Sequence, residues 1–136
     1  MSGGNFSCGD WIGGNKTATY FFVALNAMQE EVLTDQQWDA WSEGFAEPLN
    51  EQLKGLDREG PIRFEFSPTM MEALLPVARR YYEILMTKNE HPTEERIWRQ
   101  EGIDEDVKWQ LLSLIDLFKA DQAQQDSGKP IVLRFD

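Results

Sequence analysis

Phe21, Leu25, Met28 and Val32 recur at steps of four, three and four residues. That is the spacing of one helix face, and it predicts a helix from Thr17 onward. The run Tyr20-Phe21-Phe22-Val23 also suits a buried strand, so residues 18–31 stay open between the two, with the spacing favouring helix. Next, Thr34-Asp35-Gln36-Gln37 has the form of a capping box, and Leu33 and Trp38 stand where a hydrophobic staple packs. The helix it opens carries Trp38, Trp41, Phe45, Leu49, Leu53 and Leu56 roughly on one side. Pro48 removes one backbone donor, which predicts a kink or restart near Glu47. Gly55 and Gly60 bracket the exit.

From Pro61 the period changes to two: Ile62-Arg63-Phe64-Glu65-Phe66 alternates apolar and charged residues, as a half-buried strand does. Ser67-Pro68 is an N-cap with a first-turn proline. The helix behind it carries Met71, Leu74, Ala78, Tyr81 and Leu85, with Pro76 in its interior. Thr93 opens a short helix that ends at Gly102. Asp104 caps a long one with Val107, Leu111, Leu114, Ile115 and Phe118 as its stripe. After a turn at Ser127-Gly128-Lys129, Ile131–Phe135 forms a second strand. Two lone strands are marginal unless they pair and are covered. Pairing them under the helices gives an α+β fold: a mostly helical single domain over 1–136, with about five helices and a small antiparallel sheet including the C-terminal strand. Residues 1–16, with Gly3, Gly4, Gly9, Gly13 and Gly14 around Phe6, Cys8, Trp11 and Ile12, are expected to form a Gly-rich loop.

The 136 residues suffice for one core without a disulfide or metal staple. Acids outnumber bases 24 to 13, for a net charge of −11. Direct nucleic-acid binding is not expected, because phosphate neutralisation needs clustered Lys and Arg. Adsorption to an anionic membrane is disfavoured for the same reason. The single cysteine, Cys8, excludes an internal disulfide and a multi-cysteine metal cluster. A cytoplasmic protein without cofactor is the expectation.

Three segments carry residue types that could do chemistry. Gly9-Asp10-Trp11-Ile12-Gly13-Gly14-Asn15-Lys16-Thr17 approaches a phosphate-cradling loop, and the apolar run ending at Asp116 imitates a strand with a metal-holding Asp. However, Asn15 breaks the Gly-Lys-Thr contiguity, no strand is expected to lead in, and the Asp116 segment has helical periodicity. His91, the only histidine, is the one side chain suited to general-base work near neutral pH, and with Cys8 it could make a nucleophile pair. No orienting third group stands at recognisable spacing, so no catalytic residue is assigned. Asp104-Glu105-Asp106 and Glu94-Glu95 offer oxygen ligands, yet acids in a first helical turn already suit the helix dipole. No metal site is assigned.

The acidic residues are unevenly placed. Residues 30–59 hold nine acids against Lys54 and Arg58, and residues 90–106 hold seven against Arg96 and Arg99. Within the first segment Asp35, Asp39, Glu43, Glu47 and Glu51 recur at every fourth position, about 6 Å apart along a helix axis. Like charges at that spacing are destabilising by roughly 0.2–0.5 kcal/mol per pair. Such a stripe is either a solvated face or a contact surface for a basic partner. On the contact reading, Trp38, Trp41 and Phe45 should be buried behind it. The second segment adds Glu94, Glu95 and Glu105, with Trp98 and Trp109 lying off the apolar stripes as possible hot spots.

These residues are therefore expected to bind a basic protein, of the kind a toxin or a nucleic-acid enzyme presents. The chain would block or modulate it as immunity proteins, antitoxin-like inhibitors and nucleic-acid mimics do. Two alternatives stand beside that reading. One is a small enzyme or ligand-binding domain using the Gly-rich loop and His91, which should show a concave site at His91, whereas an inhibitor should pull down one basic partner and show no pocket there. The other is a subunit of a larger assembly.

Overall fold

The computed structural model describes residues 4–56 and 60–135. The chain runs β1 (Asn5–Cys8), β2 (Trp11–Ile12), α1 (Thr17–Glu31), α2 (Trp38–Trp41), a π turn (Ser42–Ala46), α3 (Glu47–Lys54), β3 (Ile62–Phe66), α4 (Pro68–Lys88), α5 (Glu94–Arg99), α6 (Glu105–Ser127) and β4 (Ile131–Phe135). The π turn joins α2 and α3 into one interrupted helix, so five helices accompany a four-stranded sheet of order β2-β1-β4-β3. All its neighbours are antiparallel, and the α+β architecture with a C-terminal strand is the one the alternating segments predict.

The expected strand pair forms: Ile62 stands opposite Phe135, Phe64 opposite Leu133 and Phe66 opposite Ile131. The alternation then sorts the sheet's faces. Phe6, Cys8, Phe64, Phe66, Ile131 and Leu133 point into the core, while Arg63 and Glu65 stay exposed on the other face. Phe66 sits at the centre of an aromatic cluster, 5.8 Å from the ring of Phe21 and 5.6 Å from that of Phe45. Helices α1, α4 and α6 pack on that inner face, and the π turn reaches it through the ring of Phe45.

The N-terminal stretch is not a plain loop, which corrects the expectation for residues 1–16. Of these, residues 1–3 lie outside the described residues. Asn5–Cys8 becomes a central strand paired on both sides, because Phe6 and Cys8 fill the core side of the sheet. Gly9, at φ +58°, and Asp10 make the two-residue turn into β2.

Residues 17–31 are helical, settling the choice left open between helix and strand. Three predicted caps are in place: Ser67 accepts the Met70 N–H, Thr93 that of Arg96, and Asp104 that of Asp106. The capping box at Thr34 is half formed. Gln37 reaches back to the Thr34 N–H at 3.0 Å, but the regular helix begins only at Trp38.

Pro48 does restart the helix near Glu47, and the device is the π turn. A proline ring clashes with the carbonyl four residues back, here Gly44. Widening the turn relieves this, with the Glu47 N–H reaching the carbonyl of Ser42. Gly44 also lets this turn lie close to α4, since a Cβ there would meet that of Ala73 at 2.8 Å.

Helix α6 is buried on more than its apolar stripe. Ser113, Asp116, Asp121 and Gln124 are buried as well, and most find partners. Ser113 donates to the carbonyl of Thr17 in α1, and Gln124 donates to that of Phe66. Gln110 accepts the Tyr81 hydroxyl at 2.5 Å. Burial, and then the charge of Glu31, push the Tyr81 phenol up to about 12, so it remains a donor at neutral pH.

Candidate functional site

Asp39, Glu43, Glu47 and Glu51 share the outer side of the interrupted helix, with Asp35 in the turn before it, and all five are exposed. In an unbroken α-helix each four-residue step drifts about 40° around the axis. The wider π turn takes more residues per turn and counters that drift. It thereby keeps two rows in line: the carboxylates outside, and Trp41, Phe45 and Leu49 buried inside.

The same geometry corrects part of the predicted apolar side. Trp38, expected to be buried behind the stripe, is 39% exposed, and Leu53 is 45% exposed. Trp38 stands three residues before Trp41, about 60° off the buried row, and Leu53 follows once the ordinary α drift resumes. Trp38 therefore lies at the surface at the start of the acidic helix. At the other end, Leu53 lines an open depression of about 670 Å3 with Glu47, Asn50, Glu51 and Lys54.

Of the stripe's carboxylates only Glu51 is ion-paired among the described residues, with Lys54 at 2.9 Å. The second acidic segment is more internally neutralised. Glu94 pairs with Lys119 at 3.0 Å and Glu95 with Arg99 at 2.6 Å, while Glu105 is exposed in the first turn of α6. Such exposed pairs contribute about 0–1 kcal/mol each, so they screen charge more than they stabilise.

The two tryptophans of this segment divide. Trp98 is 50% exposed on α5. Trp109 does not stand free as a hot spot: it stacks on Tyr20 with ring centroids 5.7 Å apart, and the ammonium groups of Lys16 and Lys108 lie over its ring at 5.7 and 5.0 Å. Sequence period places Trp109 off the stripe but carries no sign of this cation–π packing.

The Gly-rich loop and the Asp116 segment, noted separately in the sequence, meet in the structure. A strand does lead into the loop, contrary to expectation, since β2 precedes Gly13 and α1 follows Lys16. The loop's amide nevertheless faces a carboxylate of this chain: the Gly14 N–H donates to Asp116 Oδ2 at 3.1 Å, and the Thr17 hydroxyl donates to the carbonyl of Gly14. A Cβ on Gly13 would meet Asp116 Oδ2 at 3.0 Å, so the loop lies directly on the carboxylate.

Asp116 is only 6% exposed, and burial pushes its pKa up, against the lowering effects of the Gly14 and Thr17 hydrogen bonds and Lys119. A carboxyl whose folded pKa is raised binds its proton more tightly folded than unfolded. Its stabilising contribution is full below the unfolded value of 3.8 and is lost as pH rises through the folded value. Asp116→Asn keeps an acceptor for Gly14 without the charge. It should equal the wild type at about pH 4 or lower and be the more stable at about pH 7. Asp116→Ala, which leaves the Gly14 amide without its acceptor, should cost about 1–3 kcal/mol. Urea unfolding of the three proteins at both pH values checks this; an Asn variant weaker than wild type at neutral pH contradicts it.

His91 borders an open groove of about 680 Å3 with Tyr82, Ile84 and Met86 along α4, the concavity the enzyme alternative called for and the inhibitor reading did not expect. Its polar rim is already engaged. Arg80 pairs with Glu83, Lys88 with Glu31, and the Thr87 hydroxyl donates to the Glu83 carbonyl. Neither the Gly-rich loop nor Cys8 lines it. Cys8 is buried on β1, its thiol 3.2 Å from the carbonyl of Lys129. Among the described residues no three His, Cys, Asp or Glu side chains group as a metal site requires, and no helix is long and apolar enough to cross a membrane. No protein-family model, curated protein or solved structure matches this chain.

Proposed function

We infer that the interrupted helix is a recognition surface for a basic protein, which the chain blocks or modulates by covering it. The observation that carries this reading is that Asp35, Asp39, Glu43 and Glu47 are exposed together, without an ion pair among the described residues. Trp38 and Leu53, exposed on the same interrupted helix, supply the apolar anchors that an interface of carboxylates alone would lack. Interspersed lysines would give solubility without like-charge repulsion, so an uncompensated stripe favours a partner that supplies the missing cations. The acidic face would speed encounter by steering, and Trp38 would slow dissociation. Inhibitors of nuclease or toxin type share this physics. Cytoplasmic residence belongs to the same proposal and rests on the single, buried, free Cys8 thiol.

The test is retention of host proteins on the immobilised chain, compared with the Asp39→Asn, Glu43→Gln, Glu47→Gln triple variant. A basic protein held by the wild type at low salt, released by high salt and lost from the triple variant supports the reading. Equal retention by both contradicts it. The groove beside His91 favours a second reading, a small apolar ligand seated on Tyr82, Ile84 and Met86. Such binding would be insensitive to the triple variant and to salt.

A further inference from the structure

Arg63 on β3 and Arg134 on β4 stand directly opposite each other in the antiparallel register. Directly opposed residues leave the same face of a sheet, and like charges so placed are destabilising. Their neighbours Phe64 and Leu133 point the other way into the core, so the pleat holds both guanidinium groups on the outer face. Lys129 joins them around a cavity of about 330 Å3, with Ser7, Ile12 and Val132 in its wall. Glu65 shares that face two positions along β3, yet none of the three cations is ion-paired among the described residues. A chain of net charge −11 thus gathers three cations around one concavity, two of them in a destabilising like-charge cross-strand pair.

We propose that this cavity is an anion site for a compact, phosphate-bearing small molecule. Arg63 and Arg134, lining the cavity from neighbouring strands, carry guanidinium forks that suit the several oxygens of a phosphoryl group, and Lys129 adds a point charge. Ile12 and Val132 offer apolar wall to the organic part of a phosphate monoester. The volume is near the lower end for ligand cavities, which fits a small molecule. The site is separate from the acidic helix face and does not depend on its reading.

Isothermal titration and thermal unfolding of the full chain, at fixed ionic strength, test this with inorganic phosphate and with glycerol phosphate as probes. The wild type should bind saturably and its Tm should rise. Arg134→Gln and Arg63→Gln should each weaken binding by about tenfold or more, because each removes a charge-assisted, two-pronged contact. In phosphate-free chloride buffer the same variants should melt at the wild-type temperature or above it, since the opposed charges are relieved. Tighter binding of glycerol phosphate identifies an organic monoester as the ligand, and equal binding identifies free phosphate. A wild-type response no larger than that of the variants overturns the proposal. So does a variant that melts lower than wild type in chloride, which would make the arginine pair structural.

Discussion

Phe66→Ala should lower the stability of the chain by about 3–5 kcal/mol, the range for removing a fully buried phenylalanine. Phe66 is fully enclosed, meets Phe21 of α1 and Phe45 of the π turn, and is paired across the sheet with Ile131. Its loss opens a void where three elements converge, and they cannot all collapse into it because the β3–β4 register holds the backbone. For a chain of this size the change corresponds to roughly a 10–17 °C fall in Tm. Val23→Ala, on the exposed side of α1, is the control and should stay within about 0.5 kcal/mol of wild type. Chemical unfolding monitored by tryptophan fluorescence measures both. A loss below about 1 kcal/mol at Phe66 would contradict this core.

Trp38→Ala should weaken binding of the basic partner by about 2 kcal/mol or more, roughly thirtyfold, as truncation of an interfacial tryptophan does. Its ring is partly exposed at the start of the acidic helix, where a covering protein would desolvate it. The loss should appear chiefly in the dissociation rate, because the charges that steer encounter remain. The partly exposed ring also limits the cost to folding, to well below that expected at Phe66. Titration calorimetry with the captured partner checks the affinity, and an unchanged Kd removes Trp38 from the interface.

Much of the fold was legible because its signals are local. Ser67, Thr93 and Asp104 cap helices where a side-chain oxygen precedes an apolar period, and Ile62–Phe66 and Ile131–Phe135 alternate cleanly. The N-terminal strands were hidden by their glycines, although Asn5-Phe6-Ser7-Cys8 does alternate and Gly9-Asp10 is a hairpin turn. Their pairing depends on β4, more than a hundred residues away, which no local pattern conveys. Pro48 announced a break but not its width. The π turn needs both the proline's clash with Gly44 and the close approach of Gly44 to Ala73, a tertiary contact. That turn keeps Phe45 and Leu49 in line with Trp41, whereas the exposure of Trp38 follows from the ordinary helical step that sets it off the buried row.

The candidate site was legible to the same degree. The four-residue recurrence of Asp35 to Glu51 could be read directly, and their exposure follows from the buried row behind them. The neutralisation of Glu94 and Glu95 could be anticipated only for the local Arg99 pair; Lys119 lies on another helix. Trp109 looked available because the stacking of Tyr20 and the two lysines is tertiary. Asp116 resembled a metal-holding residue in sequence, whereas its carboxylate is engaged with the Gly14 amide. The opposition of Arg63 and Arg134 emerges only once the strands are set in register.

The central claim is that the carboxylates of α2, the π turn and α3 steer a basic protein onto this face. Stopped-flow association of the captured partner with wild type and with the Asp39→Asn, Glu43→Gln, Glu47→Gln variant, across a salt series, tests it most directly. The account predicts an association rate for the wild type about tenfold or more above that of the variant at low ionic strength, converging as the Debye length falls from about 30 Å at 0.01 M to about 3 Å at 1 M salt. The variant should fold with equal or slightly greater stability, since about 0.2–0.5 kcal/mol of repulsion per pair is relieved. Equal rates and equal salt slopes for the two proteins would contradict the account and leave the stripe a solvated face.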